Sequence, residues 1–446
     1  MRFRAKAILP AWDAEVLSDA ILRVEGGLVA GIDRHRAGEG GGGDPGARDG
    51  VEDLGDVLML PGFANAHAHL ELTAFAGRLP RAPLWDWIAA FVGLAREPQD
   101  GEIAHGVRRG IHLLLEGGCT AVADVCSLGI APEHLLRSPL RALVLEEGRD
   151  FHDPAMARPF HALEGFFARF EGGAELSEAW SSGRLRFGFC PHAPYTASLR
   201  VYEAAAAAAR LMEELGASDG GVPAGAPEAL ATHLLETREE RDFWAHGTGP
   251  FRDLLAQTGR LPKGFRPPGG SIVESLDKVG FLGRSTLLAH GNHLTPDEIA
   301  LLARRGAAVA FCPGTHAFFG RTEDPITESR AAGLAFCLGT DSLASNDGLS
   351  MLAEIRRLSA RGVPAREALR AGTEAGARAL GFGSGRLEPG ANADWIAVEI
   401  PPGPGDPVSR LLDPDARIVR VEIAGRTAWT AEAGEAAGPE APPKRP

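Results

Sequence analysis

Cysteine is scarce. Five thiols, Cys119, Cys126, Cys190, Cys312 and Cys337, are scattered over 446 residues with no C-x-x-C pair among them. An odd, dispersed set argues against a disulfide framework and against a thiolate zinc site. Basic clusters are lacking too. The 46 Lys and Arg are outnumbered by 59 Asp and Glu, and the formal charge of −13 is spread along the chain. Nucleic acid and anionic membranes both require clustered cations that exchange for counterions, so neither is an expected partner. No apolar run approaches the roughly 20 residues that span a bilayer, and the opening MRFRAKAILPAWDAEVLSDA has no apolar h-region. These absences lead to the expectation of a cytoplasmic protein in a reducing compartment, whose partner is a small molecule.

With 44% hydrophobic residues the chain can bury an ordinary core, and its length allows one large domain plus a smaller one. Short strand-like segments, Ala20 to Val24 and Leu28 to Asp33, precede the glycine run RAGEGGGGDPGARDG. From Leu58 the pattern changes to short apolar runs: TAVADV at 120, LRFGFC at 185, LATHL at 230, TLLAHG at 286, AAVAFC at 307 and LAFCLGTD at 334. Helical segments such as VYEAAAAAARLMEELG, PDEIALLARRG and MLAEIRRLSARG lie between several of them. Strands alternating with helices over this length imply parallel β/α units closed into a barrel. GRLEPGANADWIAVEI and IVRVEIAGRTAWT return to strand, turn, strand. The reading is a (β/α)8 TIM barrel over residues 61–384, a small β-sandwich domain built from residues 1–60 and 385–430, and a disordered tail over 431–446.

In such a barrel the strand C-termini face the active site, so polar residues that end apolar runs carry the chemistry. His67 and His69 follow PGFANA, and alternate residues of a strand face the same way. His192 follows RFGFC; His233 follows ALAT, with Glu236 three residues on; His290 ends TLLA; Asp341 ends AFCLGT. His67, His69, His233 and Asp341 are a suitable ligand set for a borderline-soft divalent ion, which would lower the pKa of a bound water, leaving Glu236 and His290 for proton transfer and substrate polarisation. Each residue alone has a plainer reading: a surface H-x-H pair, a helix-cap neighbour, a capping aspartate. Their succession at the ends of apolar runs is what favours a metal site.

PGFANAHAH, HLLET, LLAHG and LGTDSLASN, in this order and separation, resemble the amidohydrolase superfamily, in particular its deaminase and chlorohydrolase branch. The resemblance covers essentially the whole chain. It implies one divalent metal ion, zinc or in some cases iron (Fe2+), with His67, His69, His233 and Asp341 as ligands. It makes Glu236 the proton shuttle, His290 the residue that orients hydroxide or substrate, and His192 a substrate contact. The lysine ligand of the binuclear branch has no counterpart, since the corresponding place reads FGFCPHAPYT.

The reaction so implied is hydrolytic deamination of an amino-substituted purine, nucleoside or related heterocycle, with Glu236 and Asp341 handling the protons. Glu71 beside the histidine pair, and Trp87 among Trp85 and Phe91, are the expected substrate contacts. Together with TDSLASN they resemble enzymes that deaminate aminodeoxyfutalosine. A departure is FCPGTHAFFGR, where related enzymes carry a serine-asparagine pair; Thr315 and His316, and with them Phe318, Phe319 and Arg321, either alter a pocket wall or pack a loop. Between Glu236 and His290 an insertion forms either a lid or a surface excursion, with Trp244, Phe251 and Arg252 as candidate contacts. Alternatives are a chlorohydrolase or aminohydrolase of another ring, a cyclic amidohydrolase, and a catalytically inactive binding subunit. A homodimer would be ordinary for such a fold.

Overall fold

Eight short runs, most of them buried at every position, form the central element of the computed structural model, which describes residues 1–34, 50–95, 100–150, 160–170, 172–218 and 229–433. They are β1 (Phe63–Ala68), β2 (Cys119–Cys126), β3 (Arg141–Gly148), β4 (Leu185–Pro191), β5 (Ala229–Leu234), β6 (Thr286–His290), β7 (Ala308–Phe311) and β8 (Ala335–Leu338). Strands covered on both faces read as continuous apolar runs and pair in parallel, and each of these pairs with its sequence neighbours. β3, in LRALVLEEGR, is not among the runs singled out above.

The barrel closes where β8 meets β1. Thr340 N and Asp341 N both donate to the His67 carbonyl, at 3.1 and 2.9 Å, and a parallel bridge joins Ala68 to Asp341. Only glycine permits this approach at 339, since a Cβ there would stand 2.7 Å from His67 Cβ. The seam therefore carries two predicted ligands on touching backbones.

The chain ends share one eight-stranded sheet, so the expected small domain consists of a single hydrogen-bonded sheet. Leu58–Pro61 pairs in parallel with Arg2–Ile8 and antiparallel with Trp395–Glu399, joining the two ends. Phe3 and Trp395 pack edge to face at 4.9 Å in its core. Arg141 at the start of β3 reaches Asp394 through Nε at 2.6 Å and Nη2 at 3.2 Å, a buried bidentate pair fastening sheet to barrel. Asp394 also accepts from Ser384 Oγ and Ala424 N. The glycine run, apart from Gly50, and residues 434–446 of the expected tail lie outside the described residues.

Candidate metal centre and active site

β1 brings His67 as its penultimate residue, and His69 follows before the chain turns into a 3-10 helix at Leu70–Phe75. Their ring centroids lie 4.9 Å apart. β5 adds His233, whose ring is 4.9 Å from His67; β6 ends at His290, 5.4 Å from His67. His69 Nε2 is 3.1 Å from His233 Nε2. Asp341 Oδ1 is 3.8 Å from His67 Nε2 and 3.6 Å from His69 Nε2. The structure thus brings together His67, His69, His233, His290 and Asp341, from four strand ends.

Backbone strain marks the same place. Leu235, His290 and Asp341 hold positive φ, at 48, 71 and 57°. Such conformations are costly outside glycine and persist where neighbours over-determine them. Here Gly291 N bonds the Leu234 carbonyl and Asp341 N bonds the His67 carbonyl, both at 2.9 Å.

His67 Nε2 is buried with no hydrogen-bond partner. A buried polar atom left so costs about 1–3 kcal/mol unless something else satisfies it. His67, His69 and Asp341 offer ligand atoms all within 4.8 Å of one another, as do His67, His233 and His290. The donor set, imidazole nitrogens with a carboxylate, fits a divalent ion. His233 Nδ1 donates to the His192 carbonyl at 2.7 Å, which makes Nε2, the atom turned to His69, its lone-pair nitrogen. Burial, reinforced by neighbouring imidazoles, holds His67 and His69 well below the ordinary histidine range, so they are neutral as ligation requires.

Burial brings His290 down to about 3, although Glu236 pulls the other way. Burial would raise Glu236, but His290 and the Arg321 guanidinium outweigh it and hold the carboxyl below its usual range. Because His290 is itself neutral near pH 7, Arg321 is the partner that carries charge there; its Nη1 lies 2.9 Å from Glu236 Oε1. His290 Nε2 is 3.7 Å from Oε2. Asp341 is pushed up to about 6, by burial and then by Glu236, while its bonds from Ser345 Oγ and Ser342 N oppose the shift.

These groups floor a cavity of about 380 Å³ that His69, His233, Glu236, His290 and Asp341 all border. A wall of α1 (Leu84–Leu94) presents Trp87 and Phe91, stacked at 5.7 Å, with Trp87 Nε1 donating to the Ala344 carbonyl. Another part of the lining is polar: Ser127, Glu147, Arg149 and His192. Glu147 accepts from Ser127 Oγ and from Arg149, and stands 3.7 Å from His192 Nε2, while His192 Nδ1 meets Thr196 Oγ1 at 2.5 Å. Glu147 and Arg149 were not among the expected site residues. Their signal is a polar ending to an apolar run, as for the histidines, hidden in EEGR.

Glu71 is placed elsewhere than expected. It is buried, does not border the cavity, and its carboxylate accepts from the backbone N–H groups of Ser127, Leu128, Ile130 and Ala131 at 2.7–3.2 Å. Its oxygens are taken up by the backbone of the loop after β2. Among the insertion's candidates, Trp244 is buried in the core and Phe251 stacks on Tyr195 at 4.1 Å; neither borders the cavity, and Arg252 is exposed. The insertion still contributes a wall, through Leu254 and Leu255 of α2 (Pro250–Gln257) and Thr258 and Arg260 beyond it. In FCPGTHAFFGR, Phe319 borders the cavity, whereas Thr315 and His316 are buried behind it.

A parallel barrel with buried imidazoles and carboxylates gathered at its C-terminal mouth, in a donor set that suits a divalent ion, is the architecture of metal-dependent hydrolases. The chain belongs to the amidohydrolase family, whose pattern it matches over residues 58–217 and 266–428. It is 32% identical over 373 residues to the 5-methylthioadenosine/S-adenosylhomocysteine deaminase of Halobacterium salinarum, covering 80% of this chain and 77% of that protein. The zinc-bound adenosine deaminase of Xanthomonas campestris superposes with a TM-score of 0.74 at 25% identity, covering 98% and 95% of the two chains. The aminofutalosine deaminase of Helicobacter pylori shares the fold, with a TM-score of 0.74 at 21% identity over 96% and 99%.

Proposed function

We propose that the protein is a metal-dependent hydrolytic deaminase of an adenine-type nucleoside, removing the exocyclic amine of the purine ring. The observation that carries this is the orphaned, buried Nε2 of His67 beside His69, His233 and Asp341, with Glu236 at the edge of the same cavity floor. In this reading His67, His69, His233 and Asp341 hold one divalent ion, zinc first and Fe2+ second. When bound, the ion makes water nucleophilic near neutral pH.

The chain's own residues handle protons and position. Glu236, ionised beside Arg321, takes a proton from the attacking water and delivers it to a ring nitrogen. Asp341 accepts the second proton as the new C–O bond forms. Asp341 then passes that proton to the amine, the C–N bond breaks, and ammonia leaves with the ring carbonyl as product, both carboxylates being restored. His290, neutral and 3.7 Å from Glu236, orients the attacking oxygen. The Trp87 and Phe91 wall suits a flat base, and the side chains of Ser127, Glu147, Arg149 and His192 suit sugar hydroxyls. The relatives that act on methylthioadenosine and S-adenosylhomocysteine support this substrate class.

The test is ammonia release from adenosine, 5′-methylthioadenosine, S-adenosylhomocysteine, aminodeoxyfutalosine, guanine and an aminotriazine, by protein of measured metal content. Turnover of one or more adenine nucleosides is expected. Metal-loaded protein that releases ammonia from none of them overturns the reading, and activity confined to the triazine replaces it with the other ring hydrolysis.

A further inference from the structure

We propose that Arg321 is the positioning residue for Glu236 and acts from outside the substrate cavity; this rests on Glu236 being the proton-transferring group. Arg321 borders a second cleft, separated from the reaction cavity by Leu84 and Phe319, which border both. It does not border the reaction cavity itself, so it reaches Glu236 from behind. The contact is an ion pair. Arg321 Nη1 stands 2.9 Å from Oε1 as a buried charge pair without hydrogen-bond alignment, and Oε2 stands 3.7 Å from His290 Nε2.

A glutamate carboxylate turns about a broad, roughly two-fold terminal torsion, so burial alone does not set which way its oxygens face. A buried cation fixed beside one oxygen does, because the attraction is strong where water is excluded. Arg321 is itself held: its Cζ lies 4.5 Å above the Phe319 ring, and its backbone N–H donates to the His316 carbonyl at 2.9 Å. His316 in turn donates from Nε2 to the Glu323 carbonyl at 2.9 Å and accepts at Nδ1 from Arg361 at 2.8 Å. The segment is thus clamped on both sides of Arg321, and the role assigned to THAFFGR is to present a fixed cation to the proton shuttle.

The experiment compares wild type with Arg321→Met and Arg321→Lys for metal content, melting temperature, kcat and KM, and by crystallography of the Met variant. Arg321→Met should keep its metal and lose about 10²-fold in kcat with KM nearly unchanged, the scale of a misplaced reacting group. Its Glu236 carboxylate should be rotated from the wild-type orientation. Arg321→Lys, which keeps the charge without the planar fork, should recover part of the loss. Unchanged kcat overturns the proposal, as does a loss confined to KM, which would make Arg321 a substrate contact. If the Met variant does not fold, the Lys variant decides: a kcat equal to wild type overturns the proposal, and a reduced kcat at constant KM supports it. If wild type turns over no compound, the deaminase reading fails separately, and the crystallographic comparison still decides whether Arg321 sets Glu236.

Discussion

His233 Nδ1 donates to the backbone carbonyl of His192 at 2.7 Å, so one candidate ligand takes its tautomer from the main chain of the residue that borders the cavity beside it. The bond uses the carbonyl and not the ring. His192→Ala should therefore retain metal at wild-type stoichiometry, by elemental analysis, while KM for the nucleoside rises about tenfold as one polar contact is lost. Loss of metal in this variant would show that the imidazole, and not the backbone, supports His233.

Glu236→Gln keeps the size of the side chain and removes its basicity. The expected outcome is a fall in kcat of about 10²–10⁴-fold, the range for a positioned proton-transfer group, with metal retained. Steady-state kinetics and metal analysis check it; near-wild-type turnover would remove Glu236 from the mechanism.

Glu71→Ala separates a loop-forming role from a substrate contact. Four backbone N–H groups lose their common acceptor, and charge-assisted bonds of this kind are the stronger ones, so a loss of about 2–4 kcal/mol is expected in denaturant unfolding. A large rise in KM with unchanged stability would instead restore Glu71 to the substrate.

Arg141→Leu breaks the ion pair between barrel and sheet and leaves Asp394 buried without its cation. Such a change costs about 3–5 kcal/mol. Chemical denaturation should show that loss, and a variant as stable as wild type would mean that this ion pair contributes nothing to holding the two parts together.

Glu354 supplies a pH dependence away from the metal centre. It accepts from Gly314 N, Asn346 Nδ2 and Arg357, yet burial outweighs these bonds and raises its carboxyl to about 7. A carboxyl raised in the folded state binds more protons than in the unfolded chain. Its contribution is present in full below the unfolded value near 4.5 and is lost as pH rises through about 7. The span corresponds to a loss on the order of 3 kcal/mol. Unfolding free energies at pH 5 and pH 8 should differ less for Glu354→Gln than for wild type, and an identical slope would count against the assignment.

Much of this was legible without coordinates. A histidine at the end of a buried parallel strand is visible in one dimension, because the run that buries the strand and the polar residue that ends it adjoin. That rule alone picked out His67, His192, His233, His290 and Asp341, and applied to LRALVLEEGR it also reaches Glu147 and Arg149. Glu71 and Arg321 obey no such rule. Each is a charged residue in a connecting segment, and whether it meets substrate, backbone amides or another carboxylate depends on loops 55 or more positions away. Local sequence determined the strands, their order and the polar residues at their ends, since burial periodicity and chain connectivity are local properties. Only tertiary structure decided that the loop after β2 saturates Glu71 and that Arg321 comes to Glu236 from behind Phe319, because a buried charge takes whichever partner the packed chain brings to it.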